Sequence, residues 1–297
     1  MRKWFILLAA LVAMGFVYDR FKAPANTGLP MDPALNGKPS TTSNSTTETP
    51  PPKNELTIRV DRDQVHEGNL LLVNENIAVP PNDADAEAVN LYAHKELLLG
   101  FGLLNSKIKL SPDLTHKFAA MIADAAKDGV DHFIINSGYR DDKEQQTLYD
   151  QLGPEIAALP GYSEHSLGLA LDIGSTLTQM KDAPEGAWLK ENAWKYGFIA
   201  RYPEDKTDIT GVIGEPWHFR YVGLPHSAIM QENHWAFEEY LAALQSRKSI
   251  TAVVMNRTYV VYYFPVASRT TLRVPTLGSY EVSGNNTDGV IVTVLQS

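Results

Sequence analysis

The sequence predicts an α+β fold with a small all-β appendage at its C-terminal end. Between residues 70 and 152, helical and strand patterns follow one another without the regular alternation of a parallel sheet. From residue 246 onwards, β-branched and aromatic runs are separated by turn residues, which is typical of a small β-sheet.

The clearest predicted helix covers residues 115–127. Its apolar side chains recur at helical spacing, with Phe118 and Met121 among them. Ser111-Pro112 just before it is a helix start signal, and Gly129 just after it is a stop signal. We therefore expect an amphipathic helix over these residues.

Short apolar runs on either side of this helix predict strands. Residues 70–74 read as a short buried strand, and residues 133–136 as a second one that opens into Ser-Gly-Tyr-Arg at 137–140. Residues 142–152 predict a second helix. In the C-terminal region, residues 250–254, 259–264, 271–274 and 289–294 predict the strands of the appendage.

A carboxylate lies inside the most apolar of the central strands. Between residues 168 and 173 the side chains alternate, with Gly168, Ala170 and Asp172 on one face and Leu169, Leu171 and Ile173 on the other. An unpaired carboxylate in such a strand is costly. Asp172 therefore needs a cation, either a metal or an arginine, and His165 in the preceding loop can fold back over the same face.

A second polar motif, Glu215-Pro216-Trp217-His218, follows about fifty residues later. Pro216 breaks the alternation of the strand, so the side chain of Glu215 can approach the same site from a different angle than His218 does. Beyond it the side chains alternate again, with Trp217, Phe219 and Tyr221 on one face and His218 and Arg220 on the other.

Together the two motifs supply two imidazoles, one ligating carboxylate and one spare carboxylate. This is the set that a hydrolytic zinc site needs: three N/O ligands, an open position for water and a nearby general base. The chain has no cysteine, which excludes disulfides, a thiol nucleophile and a thiolate-bound structural zinc. The N/O ligand set leaves other divalent metals open.

Composition and the N-terminal segment suggest partners and location. With 26 basic and 35 acidic residues the chain is acidic, which argues against a nucleic-acid partner. Arg2 and Lys3 precede an apolar run over residues 4–18. We expect residues 1–22 to form an uncleaved membrane anchor, or alternatively a cleaved signal, and residues 23–55, rich in Pro, Ser, Thr and Asn, to form a disordered linker.

Three motifs carry a resemblance to a known family. Residues 137–140 (Ser-Gly-Tyr-Arg), 163–172 (Ser-x-His-x-x-Gly-x-Ala-x-Asp) and 215–218 (Glu-Pro-Trp-His) resemble those of VanY-type D-alanyl-D-alanine carboxypeptidases, especially those of VanB-type glycopeptide-resistance clusters. These belong to the superfamily of lysostaphin, D-Ala-D-Ala peptidases and sonic hedgehog. The resemblance covers roughly residues 55–245 and implies an antiparallel sheet with flanking helices.

The resemblance also implies a role for each motif residue. His165, Asp172 and His218 would bind one Zn²⁺, and Glu215 would be the catalytic base. Arg140 would lie beside the substrate carbonyl, unless it only forms a salt bridge to Asp141 or Asp142. Gln145 and Ser163 fall where related enzymes contact the substrate.

The implied function is zinc-dependent removal of the terminal D-Ala from peptidoglycan pentapeptide stems, which would contribute to vancomycin resistance. An L,D-carboxypeptidase, a D-Ala-D-Ala dipeptidase and a peptidoglycan endopeptidase on the same zinc site remain alternatives. A non-catalytic wall-binding module is a further one, which the presence of Glu215 disfavours.

The expected organisation is a membrane anchor with an extracellular zinc carboxypeptidase domain over residues 56–245. The β appendage over residues 246–297 would pack on that domain or contact the cell wall.

Overall fold

The computed structural model describes residues 55–81, 84–154, 156–275 and 278–296. Its strands are, in chain order, β1 (Glu55–Val60), β2 (Val89–Asn90), β3 (Gly102–Leu103), β4 (Lys109–Leu110), β5 (Phe133–Ser137), β6 (Ala170–Ser175), β7 (Phe198–Ala200), β8 (His218–Tyr221), β9 (Ser249–Val254), β10 (Arg257–Pro265), β11 (Thr270–Pro275), β12 (Tyr280–Gly284) and β13 (Gly289–Leu295).

The α-helices of this part of the chain are α1 (Ala84–Glu87), α2 (Pro112–Lys127), α3 (Asp142–Leu152), α4 (Pro184–Asn192), α5 (Thr207–Thr210), α6 (His226–Asn233) and α7 (Phe237–Arg247). Short 3-10 helices occur at Arg62–His66, Lys95–Leu97, Glu164–Leu167, Ala193–Tyr196 and Glu204–Lys206.

The two predicted helices are present, and local capping explains where they begin. The Ser111 hydroxyl accepts a hydrogen bond from the Leu114 amide (3.2 Å), and Pro112 occupies the first turn of α2. The Asp141 carboxylate accepts from the Glu144 amide at the start of α3 (2.7 Å). The Ser111-Pro112 signal is readable in the sequence because it acts within one turn.

The central sheet has five strands in the order β3-β5-β6-β8-β7. β3 and β5 are parallel, whereas the other neighbouring pairs are antiparallel. Helix α2 covers one face, where Phe118 and Met121 pack with Leu171 and Phe219 in a fully buried core. The α+β prediction is confirmed, and β6 and β8, which carry the two polar motifs, are direct neighbours.

The C-terminal region forms a separate antiparallel sheet in the order β12-β13-β10-β9, which contains three of the four predicted strands; the fourth, β11, lies outside this sheet. Strand β12 is an addition to the predicted set. This sheet packs on the rest of the fold through a core that includes Phe237 and Tyr240 of α7 and Val261 of β10. β1 pairs with β11, so the first strand of the predicted catalytic segment lies against the C-terminal strands. The predicted domain boundaries stay a prediction.

Residues 70–74 are not the strand that the sequence predicts. The side chains of Leu70, Leu71, Leu72 and Val73 are buried as expected. Their backbone groups, however, form hydrogen bonds with side chains and loops instead of with a neighbouring strand. The Leu70 amide donates to Ser283 Oγ (2.9 Å), and the Leu71 carbonyl accepts from Arg220 (2.9 Å). Burial of an irregular segment is possible here because distant residues satisfy its polar groups.

The predicted cell-membrane localisation is corrected. Within the described ranges, no helix is long and apolar enough to cross a bilayer. Even α2, with 16 residues, would extend only about 24 Å, less than the roughly 30 Å hydrocarbon core. The predicted anchor, residues 1–22, lies outside the described residues, as does the predicted linker apart from Glu55.

Candidate metal centre

Three of the residues singled out in the sequence converge on one point. Asp172 on β6 pairs across the sheet with His218 on β8, and His165 approaches from the 3-10 helix Glu164–Leu167. The Asp172 Oδ1 atom lies 3.4 Å from His165 Nε2 and 3.1 Å from His218 Nδ1. The three potential ligand atoms all lie within 4.8 Å of one another.

The ring of His165 is held in place from behind. Its Nδ1 lies 2.7 Å from the Gly138 carbonyl oxygen, which can only accept, so Nδ1 is the donor and the neutral ring presents the lone pair of Nε2 to the site. Gly138 is required there, because a Cβ at this position would lie 2.2 Å from the Lys109 carbonyl oxygen. Burial, followed by the charge of Arg140, lowers the pKa of His165 to about 4.

The pKa values of Asp172 and His218 are shifted in opposite directions. Burial raises the pKa of Asp172, but the two histidines outweigh it and hold the pKa well below its usual range. Burial lowers the pKa of His218, but hydrogen bonds to the carboxylates of Asp172 and Glu164 outweigh it and raise the pKa to about 9. An ionised Asp172 carboxylate therefore lies beside a His218 ring whose surroundings favour a positive charge.

This donor set fits a catalytic zinc ion. Two imidazole nitrogens and one carboxylate oxygen, with no sulfur, leave a tetrahedral ion one position for water or substrate. His165 and His218 are buried and Asp172 is partly exposed, so the open side of the cluster is the carboxylate side. A metal bound at His218 Nδ1 would displace the proton that the metal-free ring carries there.

Glu215 lies at the edge of the cluster. Its backbone amide donates to the Tyr202 carbonyl (2.9 Å) and its carbonyl accepts from the His218 amide (3.2 Å), so a tight turn returns the side chain towards β8. Its Oε2 is 3.8 Å from His218 Nδ1. Burial, partly opposed by His218, raises the pKa of Glu215 to about 7, which suits a group that must take up and release a proton near neutral pH.

Arg140 also faces the cluster, with its Nη1 3.8 Å from Asp172 Oδ2. The guanidinium is oriented by two hydrogen bonds, from Nε to Gln145 Oε1 (3.0 Å) and from Nη1 to Ser137 Oγ (2.8 Å). The side chain is 20% exposed, so a planar cation is held beside the site while part of it remains accessible.

The two predicted substrate-contacting residues are both buried. Gln145 has no exposed surface, and its amide links Arg140 to the Ala158 carbonyl (2.7 Å), so it lies behind the arginine. Ser163 caps the 3-10 helix through a bond from the His165 amide (3.4 Å). Direct contact of either residue with substrate stays a prediction.

The sequence reasoning missed Glu164. Its carboxylate is 1% exposed and lies 3.3 Å from His218 Nε2, and it also binds Arg201 and Arg220. A Glu next to a His in a loop resembles ordinary surface sequence. The available signal was Arg220, which alternates with apolar residues in a strand and, once buried, requires a carboxylate partner.

Comparisons with known proteins identify relatives of this chain. The VanY family model, described as D-alanyl-D-alanine carboxypeptidase, matches residues 107–224. The chain is 55% identical over 235 residues to a D-alanyl-D-alanine carboxypeptidase of Enterococcus faecium. The aligned residues cover 79% of this chain and 78% of that protein.

Two solved structures are also similar. The vancomycin resistance D,D-dipeptidase VanXYg, in complex with a D-Ala-D-Ala phosphinate analogue, superposes with a TM-score of 0.71 at 30% identity, over 82% of this chain and 99% of that one. The LD-carboxypeptidase LdcB superposes with a TM-score of 0.52 at 32% identity, over 61% of this chain and 88% of that one.

Proposed function

Because this chain belongs to the VanY family of D-alanyl-D-alanine carboxypeptidases, we propose that it removes the terminal D-Ala from peptidoglycan pentapeptide stems by zinc-dependent hydrolysis. The observation that carries the zinc dependence is the convergence of His165, Asp172 and His218, whose ligand atoms lie within 4.8 Å of one another. His165 Nε2, Asp172 Oδ1 and His218 Nδ1 would hold the ion.

Zn²⁺ bound there would polarise the scissile carbonyl and lower the pKa of water at the site towards neutrality. Glu215 takes the proton of the attacking water and passes it to the amine of the departing D-Ala. A carboxyl group whose pKa is raised to about 7 can do both, since it is neither a permanently ionised base nor a permanently protonated acid.

Arg140 stabilises the negative charge that develops on the carbonyl oxygen of the penultimate D-Ala. Its planar fork is already oriented by Gln145 and Ser137, so it needs little reorganisation during the reaction. Gln145 acts through Arg140, and Ser163 lies beside His165, where it can line the substrate cleft.

The biological role that we propose is resistance to vancomycin-type antibiotics. These drugs bind the D-Ala-D-Ala end of the stem, and loss of the terminal D-Ala removes it. The proposed chemistry needs no nucleophilic serine, so we also expect the activity to persist in the presence of penicillin.

Two related activities remain as second candidates, each with an observation in its favour. The similarity to a D,D-dipeptidase favours cleavage of free D-Ala-D-Ala, and the similarity to LdcB favours an L,D-carboxypeptidase activity. All three reactions use the same carbonyl chemistry and differ in the peptide that fits between the cluster and the cleft walls.

Product analysis by mass spectrometry tests the proposal. Pentapeptide stem, tetrapeptide stem and free D-Ala-D-Ala are each incubated with the protein, with a chelator, and with chelator followed by excess zinc. We expect one D-Ala to leave the pentapeptide, with loss in chelator and recovery in zinc. Release from the tetrapeptide alone, or from free dipeptide alone, supports the corresponding second candidate. Activity that the chelator leaves unchanged contradicts zinc dependence.

A further inference from the structure

A buried carboxylate lies directly behind the candidate zinc site. Glu164 Oε1 accepts hydrogen bonds from Arg201 Nε (2.8 Å) and Arg220 Nη1 (2.9 Å), and Oε2 lies 3.3 Å from His218 Nε2. One oxygen of the Glu164 carboxylate is thus paired with two guanidinium groups, while its other oxygen is aimed at one particular nitrogen of His218.

The two nitrogens of His218 face different partners. Nδ1 faces the cluster, 3.1 Å from Asp172 Oδ1 and 3.8 Å from Glu215 Oε2, whereas Nε2 faces Glu164. An imidazole that gives one lone pair to a cation carries its hydrogen on the other nitrogen, and a carboxylate that accepts this hydrogen sets both the tautomer and the angle of the ring.

We propose that Glu164 is a positioning residue that presents His218 to the metal through Nδ1, and that Arg201 and Arg220 keep its carboxylate in place for this task. The proposal rests on the proposed zinc-dependent function. It adds a second carboxylate to the site, one that does not touch the metal but determines which atom of His218 does.

Both arginines are themselves anchored outside the site. Arg201 forms a bidentate pair with Glu238 of α7 (2.9 and 2.6 Å). Arg220 donates to the carbonyls of Asn69 and Leu71 (3.0 and 2.9 Å) in the buried irregular segment. The carboxylate of Glu164 is therefore fixed from two directions, and the two cations are balanced by two carboxylates.

The competing explanation is that Glu164 only neutralises two buried arginines. Glu238 separates the two possibilities, because it pairs with the same Arg201 but lies in no contact with His218 within the described residues. A Glu238→Gln variant removes a carboxylate from the same ion network. It is the matched control for Glu164→Gln.

Glutamine at position 164 has one oxygen and one NH₂ group, whereas the wild-type carboxylate uses both oxygens as acceptors. In either orientation, one donor then meets another donor, at His218 or at the arginines. We expect the affinity for zinc, measured by competition with a chelator, to fall about tenfold to a hundredfold in Glu164→Gln. Glu238→Gln should lower the thermal unfolding midpoint but change the zinc affinity less than about threefold.

The wild-type protein provides a test that needs no variant. In the zinc-loaded chain, long-range ¹H–¹⁵N NMR of the histidine rings should show His218 with a protonated Nε2 and a metal-bound Nδ1. A metal-bound Nε2 overturns the proposal even if Glu164→Gln fails to fold. Equal losses of zinc affinity in Glu164→Gln and Glu238→Gln overturn it as well.

These outcomes are separable from the fate of the proposed function. A wild type that binds zinc and releases D-Ala, with equal effects of the two Gln variants on zinc affinity, contradicts only the role of Glu164. A wild type that binds zinc through His218 Nδ1 but releases no D-Ala contradicts only the function. A wild type that binds no zinc contradicts both.

Discussion

Replacement of Arg140 by lysine tests whether the shape of the cation matters as well as its charge. The guanidinium uses Nε and Nη1 for its bonds to Gln145 and Ser137, and Nη2 makes no hydrogen bond within the described residues. A lysine keeps the positive charge but has a single nitrogen, which cannot satisfy Gln145 and reach the substrate oxygen together.

The expected loss follows from one charge-assisted hydrogen bond in the transition state. Such a bond contributes about 1.5–3 kcal/mol, which corresponds to a decrease of roughly 10- to 150-fold in kcat/KM. Because the negative charge develops only in the transition state, the decrease should fall mainly on kcat, with KM little changed.

The assay is steady-state release of D-Ala from a pentapeptide stem by Arg140→Lys, with the zinc content measured in parallel. Arg247→Lys, on the exposed side of α7, is the matched control and should match the wild type. A kcat/KM for Arg140→Lys within about twofold of the wild type, at normal zinc content, would refute the role assigned to Arg140.

Three further predictions concern the base, the support of His165 and the pH dependence of stability. Glu215→Gln should lower kcat about 10²- to 10⁴-fold without loss of zinc. Gly138→Ala should weaken zinc binding, because the added Cβ would lie 2.2 Å from the Lys109 carbonyl oxygen and displace the carbonyl that holds His165. Burial lowers the pKa of His226 to about 3, so the unfolded chain, with a histidine pKa of about 6.5, takes up this proton first as the pH falls. The stability from His226 is complete above about pH 6.5 and is lost towards pH 3, at about 1.4 kcal/mol per pH unit.

Each of these has its own control. Glu215→Gln that loses zinc as well as activity would contradict the assignment of Glu215 as a base outside the ligand set. Gly138→Ala should be compared with Gly129→Ala, where φ is +78° and no atom lies within 4 Å of an added Cβ. That control strains the backbone outside the cluster, so it should lower stability but leave zinc binding unchanged. For His226→Gln, unfolding midpoints at pH 7 and pH 5 should differ less than in the wild type, and an unchanged difference would contradict the prediction.

Local sequence signals were sufficient for helices α2 and α3 and for the strand faces that carry Asp172 and His218, whereas the other five α-helices of the described residues were not predicted. Ser111-Pro112 determines the start of α2 through contacts within one turn, and the two-residue alternation around Asp172 determines which face of β6 carries it. His218 was placed by the same alternation. Antiparallel pairing of β6 with β8 then brings Asp172 and His218 together.

Features that depend on distant partners could not be predicted in this way. Residues 70–74 have the composition of a strand, but their backbone groups form hydrogen bonds with Arg220 and with Ser283 of the C-terminal sheet. Gln145 carries no sequence signal that separates a substrate contact from a support for Arg140. The role of Glu164 depends on Arg201, 37 residues away, and on Arg220, 56 residues away.

The central claim is that His165, Asp172 and His218 hold one zinc ion that the hydrolysis requires. A crystal structure of the zinc-loaded protein with anomalous data at the zinc edge tests it most directly. We expect a single peak about 2.0–2.2 Å from His165 Nε2, Asp172 Oδ1 and His218 Nδ1, with Glu215 outside the ligand set. A zinc peak elsewhere, or no peak in a crystal whose dissolved protein releases D-Ala, would contradict the account.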